Sequence, residues 1–527
     1  MDGVIIIGAG LSGLSAALTL AEHGKRCILV SAQPSERAQS VLAEGGINAA
    51  ADTMGEGDST ALHYEDTMKG GVYLADPNAV EGLTDNAPLI LKKLTELGVP
   101  FNISGGRPVL RNFGGQKKKR TAYAKSSTGK MIMSALTDAV RRYEAKGLVT
   151  RYPHHIFMGL IMSRKKCTGA VFRDSYSGKQ LMFHGRVIVC CGGMNGFFPE
   201  KTTGTTANTG DVQAQLFALG TEFANLEMIQ YHPTTIGISG KRCLVTEAAR
   251  GEGGRLYIMR GGERWYFMEE KYPELKNLMP RDVVAREMFS VRRSADTEGE
   301  VMLDMTRLSA EVWQKRLPDL RCEIKEQLGI DPADVPVPVR EGIHYFMGGI
   351  YVDEHHRTSV EGLYAAGECA CQYHGANRLG GNSMLGAIYG GRTAAEDILG
   401  FKDTVQGGEP VITEQTAASV KLVREISDIL SSALGIVRSE DEISAALVRL
   451  DGLRCGGGLD KARLSLARAM LMSALERRES RGAHFREDYP KPDEAMRRTL
   501  IARCKDGVTE LYFRELPERR AQHEGKA

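Results

Sequence analysis

The strongest constraint on this chain's fold lies at its extreme N-terminus. Val4-Ile5-Ile6-Ile7 is a short apolar run, and Gly8-Ala9-Gly10-Leu11-Ser12-Gly13 follows without a break, matching G-x-G-x-x-G. Leu14, Ala17, Leu18 and Ala21 then recur at helical spacing, Gly24 closes the helix, and Cys27-Ile28-Leu29-Val30 reads as a second buried strand. Strand, glycine turn, helix and strand in that order make a βαβ unit, which implies an α/β fold around a parallel sheet. Gly8 permits the tight turn, and Gly10 lets backbone approach a pyrophosphate. Gly13 lets helix pack on strand, and Leu11 opens a helix whose N-terminus attracts phosphate. A dinucleotide is the expected ligand; an ordinary glycine-rich strand–helix turn is the bland alternative. An acidic residue commonly ends the second strand and holds the ribose hydroxyls. Here that position is Ser31, which can hydrogen-bond a ribose but does not single out NAD.

Length and composition narrow the class. At roughly 100–200 residues per domain, 527 residues imply about three or four domains. Sixty glycines are a surplus that needs close backbone approach somewhere. A net charge of +2 gives no global pull toward nucleic acid, so the run Lys117–Arg120 and the arginine pairs near the C-terminus read as solvated surface rather than an RNA site. The ten cysteines include no C-x-x-C pair, so there is no iron–sulfur, zinc or haem signature, and no metal site is expected. Their dispersal suggests reduced thiols in the cytosol, with Cys369-Ala370-Cys371 the one candidate redox pair. The uncharged stretch from Gly3 to Ala21 is interrupted by glycines and preceded by no basic residue, which argues against a signal peptide or a membrane span.

Further glycine clusters lie far downstream, at Val187-Ile188-Val189-Cys190-Cys191-Gly192-Gly193 and Gly362-Leu363-Tyr364-Ala365-Ala366-Gly367-Glu368. Between and beyond them, in order, stand Ala43-Glu44-Gly45-Gly46, His232-Pro233-Thr234, Thr246-Glu247 with Arg250-Gly251-Glu252-Gly253-Gly254, Arg281-Asp282, His344-Tyr345-Phe346-Met347-Gly348-Gly349, and His374-Gly375-Ala376-Asn377-Arg378-Leu379-Gly380-Gly381-Asn382-Ser383. On these segments, and on Ser480-Arg481-Gly482-Ala483-His484, the chain resembles the flavoprotein subunits of fumarate reductase and succinate dehydrogenase, with L-aspartate oxidase as a close relative. The resemblance covers nearly the whole chain. It implies a Rossmann-like FAD domain in two parts (1–224 and 339–402), an inserted α+β capping domain (225–338) and a C-terminal helical domain (403–527). Ile426, Ile429, Leu430 and Leu434 have helical periodicity in that last region, and Gly407-Gly408-Glu409-Pro410 reads as the linker.

The resemblance also assigns roles. Gly8, Gly10, Leu11, Gly13, Ser31, Glu44, Gly45, Gly46, Gly192, Asp211, Glu368, Arg378, Ser383 and Leu385 would hold FAD. His232, Thr246, His344 and Arg378 would bind a dicarboxylate, whose two charges call for paired cations or strong donors. Hydride would pass from flavin N5 to one alkene carbon, and Arg281 would protonate the other, with Glu247 and Arg250 relaying the proton from solvent. Arginine is a poor acid with a pKa above ~12. The step works if the developing carbanion is strongly basic and the relay restores the proton at once.

Two positions depart from the family pattern or refine it. Where many members carry a histidine covalently bonded to FAD, this chain has Gln39, so non-covalent FAD is expected. Glu44 stands where fumarate reductases tend to have Glu and succinate dehydrogenases Gln, and a nearby carboxylate disfavours an anionic reduced flavin. Both features favour fumarate reduction, with succinate oxidation and L-aspartate oxidation as the alternatives. Aspartate's ammonium would need a carboxylate, yet from Leu97 through Thr137 the chain has no Asp or Glu. The resemblance further implies an iron–sulfur subunit and perhaps a membrane anchor as partners, placing the chain at the cytoplasmic face of a membrane. A soluble enzyme with another electron donor is the alternative.

Overall fold

A computed structural model describes residues 3–125, 127–238, 240–401, 407–413 and 419–520. At its centre is a five-stranded parallel sheet in the order Leu363–Ala365, Val187–Val189, Val4–Ile7, Cys27–Ser31 and Val149–Pro153. The Val4–Ile7 and Cys27–Ser31 strands are buried along their whole length, as expected of a parallel sheet covered on both faces. The helices Leu11–Glu22, Pro77–Glu96, Thr128–Glu144 and Asn382–Leu399 share one apolar core with the sheet, including Val4, Ile6, Leu14 and Leu29. The opposite sides of the same strands, Ile5, Ile7 and Ile28, pack with Phe157, Phe172 and Phe183 of an antiparallel meander. Its strands are His155–Ser163, Lys166–Asp174 and Gln180–His184. Glu409–Ile412 adds a strand to the edge of that meander, so part of the expected linker is paired backbone. The boundary expected at 402/403 lies outside the described residues.

The inserted segment contributes Ile229–Ile238 and Lys241–Leu244 to a three-stranded sheet completed by Arg340–Phe346, just past its expected end, and builds a four-stranded sheet around Arg255–Arg260 and Thr297–Asp304. The helix Arg281–Arg292 buries Val284, Met288 and Val291 in that segment's own core. Phe113 belongs to this core although it comes from the first part of the chain. The C-terminal region packs the helices Val420–Ala433, Glu440–Asp451 and Gly458–Glu476. Ile426, Ile429, Leu430 and Leu434 are all buried there. The helical reading missed a hairpin, Thr499–Lys505 with Val508–Arg514, which joins Phe223–Ala224 in a mixed sheet.

Candidate active site

One cavity of about 470 Å³ runs from the N-terminal glycine turn to the inserted segment. Gly8, Gly10, Leu11 and Ser31 line one end; His232, Thr246, Glu247, Arg281 and His344 line the other, with Arg378 also on the wall.

At the first end the three motif glycines do different work. A Cβ on Gly8 would stand 2.1 Å from the Cys190 carbonyl oxygen, and one on Gly13 would stand 1.9 Å from the Gly8 carbonyl oxygen, so both seal the turn against its own chain. Gly10 faces the cavity, and the nearest atom to a Cβ there is Ser40 Oγ at 3.3 Å. The helices Leu11–Glu22 and Asn382–Leu399 start at Gly10 and Gly381 without a side-chain cap. Both starts lie on the cavity wall, and such N-termini suit a pyrophosphate. Gly45, Gly46, Gly192, Asp211, Glu368 and Ser383 line the same cavity. Asp211 is paired with Arg463. Burial raises the Glu368 carboxyl to about 7, although it accepts a bond from the Phe346 N–H at 3.2 Å. Gln39 Oε1 accepts from the Thr205 N–H at 2.5 Å, an amide where a covalent link would need an imidazole. Leu385 does not line the cavity: it is fully buried in the helix–sheet core. These donors, the uncapped helix starts and the bare backbone at Gly10 fit FAD.

Glu44 lies on the cavity wall between the two ends. Its carboxyl is pushed well above the ordinary range by burial first, then by Glu323 and Asp319, with Arg111 opposing. The Arg111 guanidinium donates to the Gly45 carbonyl and lies 4.1 Å from the Tyr123 ring centroid.

At the second end, charge is concentrated and dry. Glu247 is 3% exposed, and its Oε2 accepts from Arg281 Nε at 2.9 Å and Nη2 at 2.5 Å. Its Oε1 accepts from the Gly114 N–H at 3.1 Å and lies 3.5 Å from Arg250 Nη2. Burial pushes this carboxyl up, but Arg281 and Arg250 outweigh it and hold the pKa below the ordinary value, so Glu247 is a carboxylate. Arg250 is 2% exposed and does not line the cavity; its Nη1 donates to the Asn277 carbonyl at 2.6 Å. The expected relay therefore starts at the cavity with Arg281 and Glu247 and continues behind its wall.

The two histidine rings lie with centroids 5.1 Å apart, tilted by 59°. Burial, then Arg281, Arg250 and Arg378, depress His232 well below its ordinary pKa; burial and His232 do the same to His344. Both are therefore neutral imidazoles. His232 Nδ1 meets the Thr234 carbonyl at 3.1 Å and its Nε2 has no protein partner. The His344 Nδ1 meets Thr203 Oγ1 at 2.8 Å. Arg378 lies 4.5 Å from the Tyr345 ring centroid with its Nε unpartnered, and burial followed by Arg281 lowers its pKa to about 9. Thr246 is buried on the same wall. Two guanidinium groups, two neutral imidazoles and a hydroxyl around a single carboxylate make a receptor for a small dianion.

Three supporting residues were not foreseen. Gln230 donates from Nε2 to Asn377 Oδ1 (2.9 Å) and to the Arg378 carbonyl (2.8 Å), and accepts from Arg281 Nη1 (3.2 Å), so it ties the two arginines together. Thr203 orients His344, and the Gly114 N–H anchors Glu247. The Pro280-Arg281 helix start and the glycine turn at 114–115 were visible as local signals, but their partners lie far away in sequence.

Comparison with known proteins agrees with this geometry. Residues 3–384 match the family model described as an FAD binding domain, and residues 461–521 match that of the fumarate reductase flavoprotein C-terminus. The chain is 35% identical to the succinate dehydrogenase flavoprotein subunit of Bacillus subtilis, covering 95% of this chain and 93% of that one. It is 36% identical to the L-aspartate oxidase of Agrobacterium fabrum, covering 95% and 94%. Among solved structures, an E. coli quinol fumarate reductase superposes with a TM-score of 0.89 at 27% identity, over 100% of this chain and 99% of that one. The chain belongs to the FAD-binding flavoprotein family of the succinate dehydrogenase and fumarate reductase flavoprotein subunits and L-aspartate oxidase, and it is an FAD-dependent oxidoreductase.

Proposed function

We propose that this chain interconverts fumarate and succinate, working mainly as a fumarate reductase. The observation that carries the reading is the dianion receptor joined to the cofactor cavity: Arg281, Arg378, His232, Thr246 and His344 around one small space. Arg378 and the imidazoles would bind and orient the carboxylates. Reduced FAD, when bound, supplies a hydride equivalent to one alkene carbon. Arg281 would deliver the proton to the other carbon; the Glu247 carboxylate, which accepts from its Nε and Nη2, would restore it with a proton taken from solvent through Arg250. The buried Glu247–Arg281 pair also excludes water from the developing carbanion.

Gln39, which leaves the flavin without a covalent link, supports the reductive direction; Glu44 on the cavity wall adds to it only when ionised, and burial pushes its carboxyl toward the neutral form. The aspartate oxidase reading needs a free carboxylate for an ammonium group; Glu247 is already committed to arginines, and burial pushes Glu44 and Glu368 on the same cavity toward their neutral forms. An iron–sulfur subunit would supply the electrons, with another soluble donor as the alternative; none of the described residues forms a cluster that could hold a metal ion. No helix among the described residues is long and apolar enough to cross a membrane. Fumarate-dependent oxidation of a reduced viologen dye, compared with succinate-dependent dye reduction, tests the assignment; turnover of L-aspartate without either would overturn it.

A further inference from the structure

The helix that begins with Arg281 reaches the C-terminal region through Arg286. Arg286, one turn on, donates from Nη1 to the Gly482 carbonyl at 2.8 Å, and the same nitrogen lies 3.2 Å from Asp282 Oδ2. Its guanidinium carbon sits 5.3 Å from the Phe485 ring centroid. Gly482 therefore receives the capping helix on one side. On its other side, the loop is pressed onto the Arg378 segment. The Ala483 N–H donates to the Ala376 carbonyl at 2.9 Å, and a Cβ on Gly482, whose φ is +55°, would stand 2.5 Å from that same oxygen. Ala376 is two residues before Arg378 and is itself held by its N–H to the Gly71 carbonyl at 2.9 Å.

We propose that Arg286 is a positioning residue: by holding the Gly482 carbonyl it fixes the Arg281 helix to the loop that carries Arg378, and so sets the spacing of the two guanidinium groups across the dianion. Gln230 links the two arginines directly; Arg286 and Gly482 link the segments that carry them. Arg286 does not line the cavity. The role rests on the dicarboxylate reading of the site.

The test uses the FAD-loaded protein and four forms: wild type, Arg286→Ala, Arg286→Lys and Gly482→Ala. Binding of malonate, an unreactive dicarboxylate, is followed by its perturbation of the flavin absorbance, alongside the KM and kcat for fumarate and the Tm. A misplacement of about an ångström is worth up to roughly a hundredfold. Arg286→Ala and Gly482→Ala should each weaken malonate and raise the fumarate KM by roughly tenfold or more. Arg286→Lys, which can still reach a carbonyl, should recover most of that loss. Hydrogen exchange over 281–292 should quicken in Arg286→Ala while FAD stays bound. Wild-type malonate affinity in Arg286→Ala, or equal losses in Ala and Lys variants tracking a fall in Tm, would overturn the proposal. If wild type binds malonate but does not reduce fumarate, the latch is still read from malonate binding and the reaction assignment alone fails.

Discussion

Replacing Arg281 with Lys keeps the charge and removes the geometry. The guanidinium donates from Nε and Nη2 to Glu247, at 2.9 and 2.5 Å, and from Nη1 to Gln230 Oε1 at 3.2 Å. A single ammonium can keep the pairing with Glu247 but cannot reach Gln230 and the substrate as well. One charge-assisted bond is worth about 1.5–3 kcal/mol, and the unpaired Gln230 oxygen adds about 1 kcal/mol or more. The sum, about 2.5–4 kcal/mol, corresponds to roughly a 10²–10³-fold fall in kcat. The fall is measured as fumarate-dependent oxidation of reduced viologen, with flavin absorbance reporting occupancy. The variant should keep FAD. A buried lysine has a lowered pKa, so the variant's activity should also fade as pH rises through that value, a limb the wild type should lack. Activity within roughly threefold of wild type would refute the account of Arg281, because about 0.6 kcal/mol is too little for the lost contacts. Loss of FAD would reassign the residue to the fold.

Acid precipitation should release yellow FAD into the supernatant, because the amide of Gln39 accepts a backbone N–H and cannot bond the flavin; flavin fluorescence fixed to the denatured chain would contradict this. Dicarboxylate binding should take up protons: the depressed His232 lies among Arg281, Arg250 and Arg378, and a dianion offsets those charges and raises its pKa. Malonate affinity should therefore fall as pH rises, and a pH-independent Kd would count against His232 in the receptor. The raised pKa of Glu44 means that the folded chain binds its proton more tightly, so that residue's contribution to stability falls as pH rises above the ordinary carboxyl value. Glu44→Gln should match wild type in Tm at about pH 4 and exceed it at about pH 8; a constant offset would be evidence against it. Gly13→Ala sets a methyl 1.9 Å from the Gly8 carbonyl oxygen, an overpacking worth about 1–3 kcal/mol or more, and should lower the apoprotein Tm and FAD affinity together.

The βαβ start was legible because all its signals are local: the glycine pattern, the helical repeat and two apolar strands within a few turns of one another. The substrate residues were legible as ordered short segments. What gathers them was not. Gln230 bonds groups 51, 147 and 148 residues away, and nothing beside it marks that role. Gly13 and Leu385 carry the cofactor motif's spacing yet face the core, since a helix turns every few residues away from its ligand. The hairpin near the C-terminus did have a signal. Asp506-Gly507 takes positive φ at both positions, +51° and +80°, the turn that Asp-Gly favours between strands. Helical periodicity upstream drew attention from it. Strand Glu409–Ile412 is exposed along its length and carries Pro410, so its sequence reads as linker while its backbone pairs at a sheet edge.

The central claim is that one cavity brings a flavin and a dicarboxylate together with Arg281 as the proton donor. Mixing the anaerobically reduced enzyme with fumarate in a stopped-flow spectrometer tests it most directly. Rapid flavin reoxidation yielding one succinate per flavin, and a loss of that phase in Arg281→Lys with FAD retained, is the predicted result. Reduced flavin that fumarate leaves untouched, together with oxidised flavin that L-aspartate reduces, would contradict it.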